Sequence, residues 1–371
     1  MKVTDVRLVV FNREVKVSDA DMMILGQSLQ PLFAENLCIR VLTDEGVEGN
    51  AFALGLGGSM GVAHHIAHNM KPALVGRNPL EVEAIWQDFW SWDRLWFSPQ
   101  LALGPVEVAL WDIVGKVAGL PIYQLLGAYR HKVKAYASSM TKPSPEAYAE
   151  EALKYRGKGY TAYKLHCWGE PRRDMEACRA VRKAMGDDYV LMMDAVGAYS
   201  QQDALRVGRE LEELNFHWYE EPLRDFDIHG YKMLCDALEI PIAGVEVVPG
   251  GLFMVSEYIV QRAVDIVRAD VTFKGGIGPT KKTAALAEAF GLQCEVHSNV
   301  NPVLDAANLH VNCSIKNGEY FEQLVPEELF FFGVHEGIRI DREGYAHVPQ
   351  GQGLGLEIDW DYINRFKVAE L

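Results

Sequence analysis

The chain has 371 residues, of which 49% are hydrophobic and 23% charged, and its formal net charge is −15. This composition excludes a chain that is disordered as a whole, and the length suits one large barrel with an appended unit or two medium-sized domains. The acidic balance argues against nucleic acid and anionic membranes as partners, because both require a basic surface that displaces counterions.

The cysteines and the N-terminal residues indicate the cellular location of the protein. The six cysteines are scattered and form no C-x-x-C pair, so we predict reduced thiols in a cytoplasmic protein. Residues 1–11 lack the long apolar core and cleavage site of a signal peptide, and no segment is long and apolar enough to span a bilayer. We therefore expect neither export nor membrane anchoring.

The N-terminal part is predicted to contain a sheet and helices. Residues suited to antiparallel strands run from Lys2 to Val10 and from Glu35 to Gly49, with a turn at residues 44–46. We interpret the connection 18–31 as a lid, because it carries the apolar residues Met22, Met23, Ile24 and Leu25. Helical periodicity then dominates from about Val62 to Gly119. An aromatic stretch there, typical of a core or a subunit contact, comprises Trp86, Phe89, Trp90, Trp92, Trp96 and Phe97.

After Pro121, short apolar strands alternate with amphipathic helices, as in the βα units of a parallel sheet. The predicted strands are Lys134–Ser139, Ala162–Cys167, Val190–Ala195, Phe216–Glu221, Ile240–Val247, Asp265–Asp270, Gln293–Ser298 and Tyr320–Leu324. Eight strands close a barrel, in which the chemistry lies at the C-terminal strand ends. The expected division is an N-terminal unit over residues 1–125, a barrel over 126–325, and a turn-rich segment over 326–371 that packs back on the N-terminal unit.

Three carboxylates end three successive predicted strands at equal spacing along the chain: Asp194, Glu220 and Glu246. Neighbouring strands would bring them together, and three like charges repel strongly unless a cation is present. Ligation by oxygen alone suits Mg²⁺ or Mn²⁺ and leaves coordination positions for a substrate. The alternative is that each acid is a solvated strand end, which would be the better interpretation of any one of them alone.

Groups that can move protons lie on both sides of this predicted metal site. Lys164 and His166 end the second strand, and strand alternation turns both toward the barrel mouth. Asp270 ends the sixth strand and His297 the seventh, so the carboxylate can orient the imidazole and raise its basicity. Glu322 ends the eighth strand and, if protonated, can hydrogen-bond a developing oxyanion. The pattern predicts abstraction of a proton next to a carboxylate, with Lys164 and the metal neutralising the charge that forms.

Together these residues resemble the mandelate racemase group of the enolase superfamily over nearly the whole chain. Further matching motifs are the segment 109–116, the run Trp218–Pro222 and the pair Gly275–Gly276. The resemblance implies an α/β fold, with an N-terminal α+β capping domain on a (β/α)7β TIM-type barrel. It also implies a homo-oligomer, Mg²⁺ on the three strand-end carboxylates, and His297 backed by Asp270 as one acid/base catalyst, the second-strand pair supplying the other.

The sequence departs from the pattern of this group at several positions. His166 stands where the group usually has the second lysine of K-x-K, Val196 where it commonly has Asn, and Val245 where Gly is common. Imidazole is nearly as good a base near neutral pH, so Lys164 is left as the electrophilic helper. Asp270 stands where muconate-lactonizing relatives carry a lysine base, which disfavours cycloisomerisation and dipeptide epimerisation.

The leading hypothesis is a Mg²⁺-dependent dehydratase that converts an acid sugar into a 2-keto-3-deoxy acid. A racemase or epimerase of a 2-hydroxy or related carboxylate is the alternative, because bases on both faces suit a two-base exchange. A non-catalytic paralogue that binds a carboxylate or has a structural role is the third. The partner in each enzyme is a small carboxylate, for which Met22, Leu25 and Trp168 are candidate binding residues.

Overall fold

A computed structural model describes residues 1–13, 23–25, 27–28, 35–54, 58–96, 100–298 and 300–371. Its N-terminal strands are β1 (Val3–Asn12), β2 (Met23–Ile24), β3 (Gln27–Ser28), β4 (Glu35–Thr43) and β5 (Glu48–Ala53). β1 pairs antiparallel with β4, and β4 with β5, across the turn predicted at residues 44–46. The helices of this part are Ser59–His65, the π-helical turn Ile66–Met70, Lys71–Leu74, Val82–Trp96, Gln100–Ala118 and Ile122–Leu125.

Eight parallel strands then close the predicted (β/α)7β barrel. They are β6 (Lys132–Ser139), β7 (Ala162–His166), β8 (Val190–Asp194), β9 (Trp218–Glu220), β10 (Ile242–Gly244), β11 (Ile266–Ala269), β12 (Gln293–Val296) and β13 (Tyr320–Val325). Each strand pairs with the next, and β13 pairs with β6. The barrel helices are Pro145–Gly157, Pro171–Met185, Gln201–Glu213, Ile228–Ala237, Gly251–Gln261, Ile277–Ala289 and Pro302–Ser314.

Six of the eight barrel strands are shorter than the sequence predicts, and β9 and β10 are shortened most. β9 ends at Glu220 and β10 at Gly244, because the backbone turns into the left-handed region at Glu221 (φ 40°) and Val245 (φ 69°). A residue in that region cannot continue a pleated strand. Glu246 therefore lies in a loop beyond β10 instead of inside the strand.

Side-chain caps fix several loops at the C-terminal ends of the strands. Ser144, Ser200, Asp227 and Asn301 each precede a barrel helix and accept a hydrogen bond from the backbone N–H three residues later. Such caps satisfy one of the free N–H groups of a helix start. The loops after β6, β8, β9 and β12 are thus held where the barrel opens.

The barrel interior begins with an apolar floor. It is formed by Tyr136, Ala162, Met192, Trp218, Ala243, Ile266 and Tyr320. Because alternate residues of a strand face the same side, the residues two positions further along each strand also point inward, above this floor. Any ionisable group at those positions is buried in the barrel.

The C-terminal segment contacts both the barrel and the N-terminal sheet. It contains the 3-10 turn Glu327–Leu329, β14 (Arg339–Ile340), β15 (Tyr345–His347), the helix Trp360–Arg365 and β16 (Lys367–Glu370). β15 pairs antiparallel with β6 of the barrel, and β16 with β1. All six cysteines lie in the described ranges as free thiols. None of the helices described is both long and apolar enough to cross a membrane.

Candidate active site

A layer of buried charged side chains lies directly above the apolar floor. Lys164, Glu220, Arg268 and Glu322 are at most 1% exposed. Lys164 Nζ lies 2.8 Å from Glu220 Oε1 and 2.9 Å from Glu322 Oε1. Arg268 Nε lies 2.9 Å from Glu220 Oε1, and its Nη2 donates to Glu322 Oε2 at 2.6 Å. Burial alone would lower the pKa of Lys164, but Glu220 and Glu322 raise it well above its ordinary value, so the ammonium stays charged.

His166 and Asp194 face each other at paired positions of β7 and β8. Nδ1 of His166 donates to the Ser139 carbonyl at 2.6 Å, and since a carbonyl only accepts, this nitrogen carries a proton. Nε2 lies 3.1 Å from Asp194 Oδ2. Burial would raise the pKa of Asp194, but Lys164 and His166 lower it below its ordinary value. His166 thus presents Nε2 beside an ionised carboxylate.

Glu246 is held by its backbone on both sides. Its N–H donates to Glu221 Oε1 at 3.0 Å, and its carbonyl accepts from Lys274 Nζ at 2.8 Å. In the side chain, Oε1 lies 3.2 Å from His297 Nε2, and Oε2 lies 3.6 Å from Arg268 Nε. Burial raises the pKa of Glu246 to about 7 although both cationic neighbours lower it. The surrounding cations therefore do not fully balance this carboxylate.

Asp270 and His297 form a hydrogen-bonded pair. Nδ1 of His297 donates to Asp270 Oδ2 at 2.8 Å, and the N–H groups of Thr272 and Phe273 donate to Asp270 Oδ1 at 2.6 and 2.7 Å. Burial would lower the pKa of His297, but Glu246 and Asp270 raise it to about 9. The arrangement favours the protonated ring, with Nε2 directed toward Glu246.

Glu322 differs from the form that the sequence suggested. A role as donor to an oxyanion requires a protonated carboxyl, and burial does raise its pKa. Lys164 and Arg268 outweigh that effect and hold the pKa of Glu322 well below its ordinary range. An added divalent cation would lower the pKa further, so the carboxylate stays ionised.

The hairpin of β2 and β3 contacts the loops after β6 and β7 at the C-terminal end of the barrel. Its Met23 carbonyl accepts from the N–H of Thr141, beyond β6, at 2.7 Å. Leu25, half-buried at the hairpin turn, lies against Gly169, where an added Cβ would stand 3.1 Å from Leu25 Cδ2. Of the other lid residues, Met22 lies outside the described residues.

Trp168 supports the loop after β7. The residue is 7% exposed, and its ring packs edge-on against Tyr148 at 5.2 Å and carries the Arg173 guanidinium 3.8 Å from its centre. Its backbone N–H donates to Asp174 Oδ1 at 2.8 Å. Little of the ring is left to touch a ligand, so any effect on a substrate acts mainly through the loop.

The carboxylates fit a hard divalent cation by the chemistry of their donors. Asp194, Glu220 and Glu246 offer only oxygen, which Mg²⁺ and Mn²⁺ prefer. Burial and the neighbouring carboxylates also raise the pKa of Glu221 well above its ordinary value, a sign of surplus negative charge. Within the described ranges, no three His, Cys, Asp or Glu side chains are arranged as they stand to hold a metal ion. A cation would therefore compete with the contacts that these carboxylates now make with Lys164, Arg268 and His297.

Two site residues were missed by sequence reasoning. Arg268 lies inside the apolar strand Ile266–Ala269, and a charged residue in such a run signals a polar layer within the barrel. Lys274 lies in the turn before Gly275–Gly276, and nothing in its sequence context indicates that it reaches the Glu246 loop. The roles of both residues depend on contacts with side chains and backbone groups that are distant in the sequence.

Two family models match the chain. The model described as "Enolase C-terminal domain-like" matches residues 147–362, and "Mandelate racemase / muconate lactonizing enzyme, N-terminal domain" matches residues 19–127. Arabinonate dehydratase of Saccharolobus solfataricus is 30% identical over 93% of this chain and 94% of its own length. N-succinyl-L-Arg/Lys racemase of Bacillus cereus is 28% identical over 90% of this chain and 91% of its own. The crystal structure of D-glucarate dehydratase from Agrobacterium tumefaciens complexed with magnesium is 36% identical, covers both chains completely and has a TM-score of 0.88.

Proposed function

Because the chain belongs to the mandelate racemase / muconate lactonizing enzyme family, with an enolase-like C-terminal domain, we propose that it dehydrates an acid sugar to a 2-keto-3-deoxy acid. The observation that carries the proposal is the pair of histidines. Each of His166 and His297 donates through Nδ1 to a fixed acceptor and directs Nε2 at a carboxylate of the same cluster. Two such groups can take a proton and return one.

We assign Mg²⁺ to Asp194, Glu220 and Glu246, with Mn²⁺ as a substitute that the same oxygen donors would accept. The magnesium in the related D-glucarate dehydratase structure supports the assignment. A bound divalent cation supplies positive charge that neutralises the substrate carboxylate as its α-proton leaves.

The chain's own residues account for the proton transfers. His166 takes the α-proton at Nε2, since its Nδ1 is committed to the Ser139 carbonyl. Lys164 keeps its charge and lies beside the carboxylates, where it offsets the negative charge that develops. His297, whose protonated form is favoured by the hydrogen bond to Asp270, gives a proton to the departing 3-hydroxyl. Water leaves, and the enol product becomes the 2-keto-3-deoxy acid.

Glu322, Leu25 and Trp168 receive supporting roles. Glu322 serves as an anion that fixes Lys164 and Arg268, instead of as a proton donor. We assign Leu25 to the apolar wall above the substrate and Trp168 to support of the loop beside it. Homo-oligomeric assembly and a cytoplasmic location stay predictions from the sequence.

The test is incubation with Mg²⁺ in D₂O and a library of sugar acids, 2-hydroxy carboxylates and 2-amino carboxylates, followed by mass spectrometry. Loss of one water from a subset of sugar acids is the expected result. Asp194→Asn is the matched variant, because it keeps the shape of the side chain and removes a ligand charge. It should lose both Mg²⁺ binding and turnover.

Other outcomes separate the alternatives. Gain of one deuteron without loss of water would make the protein a racemase or epimerase, as in the relative that racemises N-succinyl-L-Arg/Lys. No reaction with any compound, together with unchanged biological activity of Asp194→Asn, would favour a non-catalytic carboxylate-binding role.

A further inference from the structure

Each candidate metal carboxylate lies within two residues of a non-glycine residue in the left-handed region. These residues are Val196, Glu221 and Val245, with φ of 50°, 40° and 69°. A β-branched side chain is rarely tolerated there, because its Cβ crowds the backbone. Val245 directly precedes Glu246, so the direction of that carboxylate depends on a strained turn. A conformation of this kind persists only where the surrounding structure holds it.

Lys274 supplies contacts that hold this turn. The side chain is 3% exposed, and its Nζ donates to the Val245 carbonyl at 2.5 Å and to the Glu246 carbonyl at 2.8 Å. An ammonium has three donors, so one nitrogen can bind two successive peptide groups. On the other side, the Glu246 N–H donates to Glu221 Oε1. Both peptide groups of Glu246 are therefore fixed by hydrogen bonds to buried polar side chains.

Lys274 is itself anchored to a different part of the barrel. Its backbone N–H donates to the Asp270 carbonyl at 3.1 Å, and Trp86 Nε1 donates to the carbonyl of the next residue, Gly275, at 2.8 Å. The turn that carries Lys274 thus also carries the partner of His297. Its side chain connects the acid/base pair with the loop of Glu246.

We propose that Lys274 is a positioning residue for the cation site: it holds Val245 in the left-handed turn and so directs the Glu246 carboxylate. The inference rests on the proposed function, because it takes Glu246 as a metal ligand. Glycine adopts a positive φ without crowding. Lys274 therefore matters less when residue 245 is glycine.

The experiment is a double-mutant cycle on the intact chain, with Mg²⁺ affinity measured by isothermal titration calorimetry. The proteins are wild type, Lys274→Met, Val245→Gly and the double variant. Methionine keeps much of the length of lysine but cannot donate a hydrogen bond. We expect Lys274→Met to weaken Mg²⁺ binding at least about tenfold, and the double variant to bind within about threefold of Val245→Gly.

Lys281→Met is the matched control. Lys281 Nζ also donates to a backbone carbonyl, that of Ser314, but it touches neither the Val245 turn nor Glu246. Its loss should leave Mg²⁺ affinity at the wild-type value. Thermal unfolding without metal establishes that each variant is folded. If Lys274→Met does not fold, Lys274→Arg takes its place in both halves of the cycle. The planar guanidinium of arginine distributes its hydrogen-bond donors over several nitrogens, whereas Lys274 makes both contacts from one nitrogen.

Two results would overturn the inference alone. One is a Lys274→Met variant that binds Mg²⁺ as tightly as the Lys281→Met control. The other is an equal loss of affinity in the Val245→Gly background, which would mean that Lys274 does not act through the turn. A wild-type protein that does not bind Mg²⁺ at all would instead overturn the metal centre, and with it the proposed function.

Discussion

The hydrogen bond between Asp270 and His297 stabilises the protonated form of the imidazole. Asp270→Asn places a neutral amide opposite Nδ1, which removes the charge that stabilises the protonated ring. We expect turnover to fall by roughly 10²- to 10⁴-fold, the usual size of one acid/base contribution. Exchange of the α-proton through His166 should stay measurable by incorporation of deuterium from D₂O.

His166→Asn is the reciprocal variant for this prediction. It removes the group that faces Asp194 and leaves the Asp270 pair intact, so exchange of the α-proton should be lost. An Asp270→Asn protein with unchanged turnover and unchanged exchange would contradict the assignment of the pair.

At the level of single residues, the sequence indicated where the site residues lie better than it indicated their protonation states. Asp194, Glu220 and His166 could be predicted because each is the last residue of a strand, and strand ends converge in a barrel. The ionised state of Glu322 could not, since it depends on Arg268 from a strand two places away. Long-range pairs of this kind follow from the closed barrel and leave no spacing pattern in the chain.

At the level of elements, the hairpin of β2 and β3 depends on its contact with the loop after β7. A Cβ at Gly169 would stand 2.9 Å from Ala198 Cβ and 3.1 Å from Leu25 Cδ2. Gly169→Ala should therefore displace Leu25 and raise KM several-fold while Mg²⁺ affinity stays the same. Steady-state kinetics and calorimetry measure the two effects.

Gly186→Ala is the matched control for this substitution. Gly186 has nearly the same φ, 80° against 77° for Gly169, but an added Cβ would meet nothing within 4 Å. Both variants thus place a Cβ on a residue with a positive φ, and only Gly169→Ala adds a clash. An equal rise of KM in both would show that backbone strain, and not the hairpin contact, is responsible.

The order of the elements was predictable, whereas some of their ends were not. Alternating strands and helices predicted a barrel, and all eight predicted strands overlap observed ones. Glu246 was expected inside a strand, because Ile240–Val247 is apolar enough to suggest one. The strand ends at Gly244 since Val245 turns left-handed, which Lys274 and Glu221 support from other loops. Contacts from distant loops cannot be inferred from the conformational preferences of the local sequence.

At the level of the whole molecule, the last strand ties the C-terminal segment to the N-terminal sheet. β16 pairs with β1, and Leu371 exchanges two backbone hydrogen bonds with Leu8, at 2.9 and 3.0 Å. Deletion of residues 367–371 would leave β1 as an open edge. We expect a loss of about 2–4 kcal/mol in the free energy of unfolding, from a few net hydrogen bonds.

Urea unfolding measures this loss, and kinetics separate its consequences. The hairpin of β2 and β3 lies between β1 and β4 in the chain, so a loosened β1 should also loosen the hairpin. The KM for the substrate should therefore rise. Mg²⁺ affinity should not change, since the proposed ligands lie on the barrel. A deletion variant with wild-type stability, or one that loses Mg²⁺ binding without a change in KM, would contradict this account.

One buried histidine joins three parts of the molecule. His310, on the barrel helix Pro302–Ser314, accepts the backbone N–H of Tyr123 at Nδ1, 3.2 Å away. Its Nε2 donates to the carbonyl of Leu354, in the C-terminal segment, at 3.0 Å. With one nitrogen accepting and the other donating, only the neutral ring satisfies both contacts. Burial lowers the pKa of His310 from 6.5 to about 4, although the Leu354 hydrogen bond opposes the shift.

This depressed pKa makes the stability of the fold depend on pH. The unfolded chain binds a proton at His310 below about pH 6.5 and the folded chain only near pH 4, so the contribution is complete above 6.5 and is lost as the pH falls through 4. His310→Gln should shrink the difference in free energy of unfolding between pH 7 and pH 5 by about 2 kcal/mol, measured by denaturant titration. His229→Gln, at an exposed position, should keep the wild-type difference. If the free energy of unfolding depends equally on pH in wild type and His310→Gln, His310 is not the group that makes the stability of this fold depend on pH.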